Sequence, residues 1–511
     1  MSPGEMDRYL SDAAHFPGGH AAAVAIPHTA GEVPPIVRAA AAILPVGAQS
    51  SLTGGATPMG ETVLSTEKLT HIRSASPGRI VVEAGVAVVT LQETLAGLDA
   101  WFPPAPTFTG ASAGGVVATN AAGAATFKYG AVRSWVEAIE VVLADGTPLS
   151  LRRGDCVADG YHLRLDAGRV IDVPVPRYRM PDVVKRSAGY HAEPGMDGVD
   201  LFIGSEGTLG ILTAVTFRTA TPRPLTAMAL IPCRSEPQAL ALVGALRTAS
   251  FATWRAADPD GIDVAAIEHM DRRCLDILRE DGSDRQNDVA LPAASTIVLL
   301  VQIELPPGTT DAAAFEQIAG ALTATRDGPL VRFCRLLHAH GALDEAEMSL
   351  PGQARRAAQF VALREAVPAG VNRRVGAAQR DLDPRIAKTA ADMIVPFERF
   401  AEMMAIYRDG FAARGLDAAV WGHVSDGNVH PNVLPRSYAD VEAGKAAILA
   451  FGRDVARLGG CPLAEHGVGR HAVKQTLLRE LYGAAGIDEM RAVKRALDPS
   501  WRLAPGVIFP R

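Results

Sequence analysis

The chain has 511 residues, which exceeds the roughly 100–200 residues of an average domain and predicts two or three packed units. A hydrophobic content of 48%, a charged content of 21% and a net charge of −6 are typical of a globular protein with a mildly acidic surface, so no nucleic-acid partner is expected. The five cysteines are widely separated, which excludes a local zinc or iron–sulfur motif. The sequence shows no apolar signal segment and no run approaching the roughly 20 apolar residues of a membrane helix, so we expect a cytoplasmic protein without a transmembrane segment.

The first part of the chain alternates short strands and helices with loops of small residues. The hydrophobic pattern predicts, in chain order, helix 33–41, strand 43–46, strand 80–86, helix 90–98, strand 136–143, a return strand from 148, and strand 211–218. Thr90 is the predicted N-cap of the second helix. Residues 152–185 are predicted to be irregular.

The pattern changes after the segment 221–224, Thr-Pro-Arg-Pro. Longer elements follow, namely strands 227–231 and 295–303, helices 236–248 and 311–323, strands 418–424 and 429–434, and helices within 441–497. This order predicts an α+β fold with a first domain at residues 1–222 and a second domain at residues 223–511.

Three loops rich in Gly, Ser and Thr, at 45–55, 111–123 and 204–211, could bind a phosphate group. Small residues let backbone N–H groups approach an anion closely, and three such loops could together hold a pyrophosphate. They contain neither the GxGxxG nor the GxxxxGK[ST] pattern, which disfavours a simple NAD site or a P-loop. The alternative reading is that each loop is only a tight turn.

A second group of candidate residues lies in the last hundred residues. His423 and His430 flank an Asp-Gly turn, and a hairpin there would bring the two imidazoles side by side. Glu465 and His466 follow another Gly-rich turn. Two His and one carboxylate match a catalytic site for Zn²⁺, Mn²⁺ or Fe²⁺, although ordinary core or surface histidines would give the same pattern.

The three loops, in this order, resemble the flavin-binding signature of the vanillyl-alcohol-oxidase type of FAD enzymes. The resemblance covers roughly residues 20–511 and is greatest to the branch of D-lactate dehydrogenase, glycolate oxidase and D-2-hydroxyglutarate dehydrogenase. It implies a two-subdomain, PCMH-type FAD-binding domain, an α+β substrate domain with an antiparallel sheet, and a C-terminal helical segment. The first loop contains no His, so the FAD is expected to be non-covalent. The residues implied to bind it are Gly47, Gln49, Ser50, Ser51, Gly54, Ser112, Gly114, Gly115, Thr119, Asn120, Glu206, Gly210 and Ile211.

The C-terminal phrases Gly422–Asn432 and Glu465–Gly469 resemble the GHxxDGNxHxN and EHGxG phrases of the same family. The resemblance implies that His423, His430 and Glu465 bind a divalent metal and that His466 is the catalytic base. It also implies that Asn432 and Arg364 contact the substrate. Lys185 and Tyr190 resemble a family segment beside the flavin, and they could equally be surface residues.

The resemblance implies oxidation of a D-2-hydroxy acid to the 2-oxo acid, with hydride transfer to flavin N5. Residue 390 is Ala where the hydroxyglutarate branch carries Lys, which favours a D-lactate-like monocarboxylate. The alternatives are an alkylglycerone-phosphate-synthase-like flavin transferase, a glycolate-oxidase-type subunit and a metal-binding protein without redox activity. The electron acceptor (quinone, cytochrome or electron-transfer flavoprotein) and the oligomeric state, for which a homodimer is one option, stay open.

Overall fold

The computed structural model describes residues 6–104 and 106–510. The chain forms two compact units. The first unit contains the chain up to residue 123, residues 130–223 and residues 459–511, and the second contains residues 124–129 and 224–458. The predicted division near residue 222 thus lies at a boundary between units, but the last 53 residues of the chain belong with the first unit.

The first unit contains two main sheets. Its strands are β1 (Ala23–Ala25), β2 (Ile43–Val46), β3 (Thr62–Ser65), β4 (Ile72–Ser76), β5 (Arg79–Glu83), β6 (Val136–Val142), β7 (Pro148–Arg152), β8 (His162–Asp166), β9 (Val170–Pro174) and β10 (Ile211–Arg218). One sheet is parallel with the order β1-β3-β2, and the other is antiparallel with the order β4-β5-β10-β6-β7. The first unit therefore combines one parallel and one antiparallel sheet, and the implied division into two subdomains stays a prediction.

The helices of the first unit are mostly short. They are Val33–Ala39, Val88–Ala96, Ala113–Ala118, Gly198–Phe202 and Ala472–Leu497, with 3-10 turns at Ala30–Glu32 and Val132–Trp135. The long C-terminal helix is interrupted at Gly483, whose backbone is not helical. Predicted helix 90–98 begins two residues earlier than expected, and its N-cap is Ala87, so the assignment of Thr90 as the cap was wrong.

The C-terminal residues join the first unit through backbone hydrogen bonds to a strand near the start of the chain. The Ile43 N–H donates to the carbonyl of Arg502, and the Ala504 N–H donates to the carbonyl of Ile43, both at 2.7 Å. Leu503 is fully buried in the same hydrophobic cluster as Ile43. This strand-like pairing is the physical reason why the chain terminus groups with the first unit.

The second unit is built on one antiparallel sheet. Its strands are β11 (Leu225–Cys233), β12 (Val264–Met270), β13 (Ile297–Leu305), β14 (Glu347–Ser349), β15 (Thr389–Ala390), β16 (Met393–Ile394), β17 (Ala418–His423) and β18 (Asn428–Val433). The order is β14-β11-β13-β12-β17-β18-β15, and β16 also pairs with β18. The predicted hairpin strands in 418–434 are thus adjacent.

The second unit also contains helices, several of which pack on its sheet. The helices are Thr126–Tyr129, Glu236–Ala256, Arg272–Glu280, Ser283–Gln286, Asp311–Ala319, Pro329–Ala339, Ala354–Asp381, Phe400–Ala412 and Tyr438–Arg457, with a 3-10 turn at Phe397–Arg399. Ser235 begins the helix Glu236–Ala256 as its N-cap, because its hydroxyl accepts a hydrogen bond from the Gln238 N–H. Among the described residues, no helix is both long and apolar enough to cross a membrane. The predicted α+β class with an antiparallel sheet is confirmed.

The predicted irregular stretch 152–185 contains a hairpin instead. Strands β8 and β9 pair in antiparallel register, and each alternates exposed and buried side chains. Leu163 and Leu165 on one strand and Ile171 and Val173 on the other form its buried face. The alternation extends over only five residues in each strand, which is why the sequence alone did not reveal it.

Candidate active site

The three small-residue loops surround one cavity of the first unit. Its volume is about 310 Å³, at the lower end of the range for ligand pockets. The predicted cofactor residues that line it are Gly47, Gln49, Ser50, Ser51, Ser112, Gly114, Gly115, Thr119, Glu206, Gly210 and Ile211. The structure therefore brings together loops that are far apart in the sequence.

Small residues allow the first two loops to approach each other closely. A Cβ atom on Gly47 would lie 2.1 Å from the Ser112 Oγ, so a side chain larger than hydrogen cannot be placed there without movement. Ser112 is the N-cap of the helix Ala113–Ala118, and its Oγ accepts a hydrogen bond from the Gly115 N–H at 3.2 Å. The loops therefore line the cavity with backbone N–H and hydroxyl groups, which are the donors that the phosphates of a dinucleotide require.

The remaining two predicted cofactor residues have structural contacts. Gly54 has a φ of +75°, and a Cβ atom there would lie within 2.5 Å of the Phe16 ring. Asn120 also has a positive φ, and its Oδ1 accepts a hydrogen bond from the Arg133 N–H at 3.0 Å. Both residues thus shape the loops behind the surface that faces the cavity.

Glu465 and His466 line the same cavity. The Glu465 Oε2 lies 3.0 Å from the Nζ of Lys185, whose side chain is fully buried. The His466 Nε2 lies 3.3 Å from the Glu465 Oε1, and 29% of the His466 side chain is exposed, which leaves the ring accessible to a ligand. The structure thus pairs Lys185, which the resemblance placed beside the flavin, with the predicted ligand Glu465.

Glu206 connects the third loop to the segment that follows His466. Its two carboxylate oxygens accept hydrogen bonds from the N–H groups of Val468 and Gly469, both at 2.8 Å. Burial raises the pKa of Glu206, although these backbone donors and the charge of Lys474 oppose the increase. The side chain is therefore bound to protein backbone, a contact that sequence reasoning did not predict.

The predicted histidine pair lies in the second unit, on β17 and β18. In the register of this hairpin, Trp421 is opposite His430 and His423 is opposite Asn428, and residues 424–427 form the turn. The imidazole centroids of His423 and His430 are 5.5 Å apart, and the ring planes are nearly perpendicular. Both side chains are buried. The prediction that the hairpin brings the two rings together is confirmed.

Glu268 on β12 is a central residue of this cluster that sequence reasoning missed. It pairs with His423 across the sheet, and its Oε1 forms an ion pair with the His423 Nδ1. Its Oε2 accepts a hydrogen bond from the Arg364 Nε at 2.7 Å. Burial opposes ionisation, but the Arg364 guanidinium and the His423 ring outweigh it and hold the pKa of Glu268 well below its ordinary value.

The sequence contains one signal for Glu268, which directly follows the apolar run Val264–Ile267. The structure buries all seven residues of β12, and a charged residue in such a strand requires a partner. Arg364, predicted to bind the substrate, is itself buried and also forms an ion pair with Glu365 at 2.9 Å. Its guanidinium therefore has two protein carboxylates as neighbours.

Asp392 faces the second histidine. Its Oδ1 lies 3.4 Å from the His430 Nδ1 and accepts a hydrogen bond from the Asn428 Nδ2 at 3.0 Å. The Nδ2 of Asn432 donates to the carbonyl of His430 at 2.9 Å. Each histidine thus has a carboxylate at its Nδ1, an arrangement that favours metal binding through Nε2. The two imidazoles, with Glu268 beside His423 and Asp392 beside His430, therefore have the surroundings of ligands for a divalent metal ion.

Comparison with known families gives two matches. Residues 21–152 match the FAD binding domain, and residues 234–508 match the C-terminal domain of the FAD-linked oxidases. The second match alone covers more than half of the chain.

Curated relatives align over nearly the whole chain. A D-2-hydroxyglutarate dehydrogenase of Xanthomonas citri is 27% identical over 99% of this chain and 93% of its own length. A D-lactate dehydrogenase of Archaeoglobus fulgidus is 27% identical over 90% and 84%, and the glycolate oxidase subunit GlcD of Bacillus subtilis is 26% identical over 92% and 84%.

Solved structures include a similar fold. An alkyldihydroxyacetonephosphate synthase has a TM-score of 0.57 and 14% sequence identity, over 94% of this chain and 75% of that chain. At this identity the likeness concerns the fold alone.

Proposed function

Because the chain belongs to the FAD-linked oxidases, we propose that this oxidoreductase converts a D-2-hydroxy acid to the 2-oxo acid. The observation that carries the proposal is the cavity of the first unit, in which the three predicted FAD loops meet Glu465 and His466. The names of the curated relatives, which cover D-lactate, D-2-hydroxyglutarate and glycolate, support the same substrate class.

His466 is the proposed base. When bound, FAD accepts a hydride at N5, and the hydroxyl proton must go to a protein group. An imidazole titrates near neutral pH, and the His466 ring is accessible on the cavity wall beside Glu465. A neutral His466 would take the hydroxyl proton as the Cα–H bond breaks, and Glu465 would stabilise the imidazolium that forms.

His423 and His430 are the proposed metal ligands of the second unit. Their Nδ1 atoms face Glu268 and Asp392, so their rings are oriented by carboxylates, as is typical of metal-binding histidines. They would hold a divalent ion (Zn²⁺, Mn²⁺ or Fe²⁺) that lowers the pKa of a bound alcohol. The predicted roles of Glu465 as a further ligand, and of Arg364 and Asn432 as substrate contacts, stay predictions.

A small monocarboxylate such as D-lactate is the proposed substrate. Ala390 lies opposite Asn432 in the register of β15 and β18. The resemblance places a Lys at position 390 in enzymes for dicarboxylic acids. A methyl group there supplies no cation for a second carboxylate.

An anaerobic bleaching screen tests the function. The purified protein should be yellow, release FAD on denaturation, and lose its visible flavin band with a D-2-hydroxy acid but not with the L enantiomer. D-lactate should reduce the flavin with a higher ratio of limiting reduction rate to Kd than D-2-hydroxyglutarate. A flavin that stays oxidised across a panel of D-2-hydroxy acids would refute the function, and a preference for the dicarboxylate would refute the proposed substrate alone.

A further inference from the structure

The backbone before and after His466 is hydrogen-bonded to other segments of the first unit. The carbonyl of Ala464, just before the pair Glu465–His466, accepts a hydrogen bond from the Ser187 N–H at 2.9 Å. The Arg470 N–H, beyond the pair, donates to the carbonyl of Thr53 at 2.9 Å. The backbone between these two anchors is bound by Glu206, through Val468 and Gly469.

The two glycines after His466 leave room for this contact. Gly467 has a φ of +73°, and a Cβ atom there would lie 2.9 Å from the Glu206 carboxylate. Gly469 has a φ of +57°, and a Cβ atom there would lie 2.3 Å from the Thr53 carbonyl oxygen. The backbone therefore turns sharply against Glu206 immediately after His466, in a conformation that side chains disfavour.

Glu206 itself is held from the opposite side. Its N–H donates to the carbonyl of Ala118 at 2.8 Å, and its φ is +51°. Ala118 ends the helix that the second loop begins, so the position of Glu206 depends on the loops that line the cavity. A displacement of these loops would therefore move the Glu206 side chain and, with it, the backbone that follows His466.

We propose that Glu206 is a positioning residue for His466: its carboxylate holds the N–H groups of Val468 and Gly469 and thereby sets how the His466 ring faces the cavity. This inference rests on the proposed role of His466 as the base. The third loop would then have two roles, since it lines the cofactor cavity and also orients the base.

The test compares E206Q with a matched control, E489Q. Glu489 also accepts two backbone N–H bonds in the first unit, from Arg177 and Tyr178, and none of these three residues lines the cavity. In E206Q one of the two carboxylate oxygens becomes an NH₂ group, which cannot accept the N–H bond that this oxygen accepts in the wild type. The limiting rate of anaerobic flavin reduction should fall about 10–100-fold, because a small displacement of a catalytic group is costly, while the Kd for the acid and the FAD content stay near wild type. E489Q should keep the wild-type rate.

Two chemical readouts complete the experiment. In E206Q, amide hydrogen exchange at Val468 and Gly469 should accelerate, and the rate at which diethyl pyrocarbonate modifies His466 should change about threefold or more, since the exposure of the ring changes. E489Q should change neither of the two.

Each contrary result has a distinct meaning. A loss of FAD in E206Q would make Glu206 a cofactor-binding residue and overturn the inference. A wild-type rate of flavin reduction in E206Q would also overturn it, whether or not amide exchange becomes faster. If no acid reduces the wild-type flavin, the proposed function fails, and the modification rate of His466 and the amide exchange then decide the inference. An unchanged modification rate would overturn it.

Discussion

Two carboxylates, Glu206 in the first unit and Glu268 in the second, organise the candidate site residues in different ways. Glu206 accepts hydrogen bonds from two neutral backbone N–H groups, and burial raises its pKa. Glu268 lies between a guanidinium and an imidazole, and these partners lower its pKa despite burial. The charges around a buried carboxylate, rather than burial alone, therefore decide which protonation state the fold favours. One carboxylate positions backbone, and the other neutralises charge.

The largest expected effect comes from His466, whose orientation Glu206 is proposed to set. H466A should lower the rate of anaerobic flavin reduction about 10²–10⁴-fold, because the proposed base is removed, while the FAD content is retained. Stopped-flow absorbance of the flavin band measures the rate. H28A, a change at an exposed histidine of the first unit, serves as the control. Near-wild-type reduction by H466A would show that another group takes the proton.

The charge-neutralising role of Glu268 predicts a loss of stability. E268Q should lower the free energy of unfolding by about 3–5 kcal/mol, because it removes the buried negative charge that faces both the Arg364 guanidinium and the His423 ring, and denaturant titration measures this. Metal analysis should also show less bound divalent ion in E268Q, as in H423A, since Glu268 orients His423. E365Q is the matched control, because Glu365 is the half-exposed partner of Arg364 and should cost about 0–1 kcal/mol. Equal stability of E268Q and E365Q would contradict the role assigned to Glu268.

A smaller effect is expected at Asp271, a second carboxylate that, like Glu206, is bound to backbone N–H groups and has a raised pKa. Asp271 accepts N–H bonds from Cys274 and Val420, and burial raises its pKa to about 6. The folded state therefore binds more protons than the unfolded state between pH 4 and 6, and the stability that this carboxyl contributes is lost as the pH rises through that window.

The variant D271N cannot titrate at this position. Its deficit in the free energy of unfolding relative to wild type should therefore shrink by about 2 kcal/mol between pH 4 and pH 7. Denaturant titrations at several pH values measure the difference. D409N removes a carboxylate whose side chain is 72% exposed and should show no such trend. A constant deficit would mean that Asp271 titrates at its ordinary pKa, and a deficit that grows with pH would mean that the fold lowers this pKa.

Local patterns predicted the elements that carry the site. The hairpin of β17 and β18 follows from an Asp-Gly turn between apolar runs, and the structure pairs His423 and His430 across it. The helix start at Val88 and the hairpin of β8 and β9 were missed, because the N-cap Ala87 has no polar side chain and an alternation over five residues is a weak local signal.

The sequence by itself determined the family, the fold class, the three small-residue loops and the adjacent histidines, since each depends on residues near one another in the chain. Only the tertiary structure revealed the partners. Glu268 and His423 are 155 positions apart, and Glu206 and Val468 are 262 positions apart. Local periodicity contains no information on such pairs, because burial of charged and polar groups selects their partners only once the strands and loops have packed.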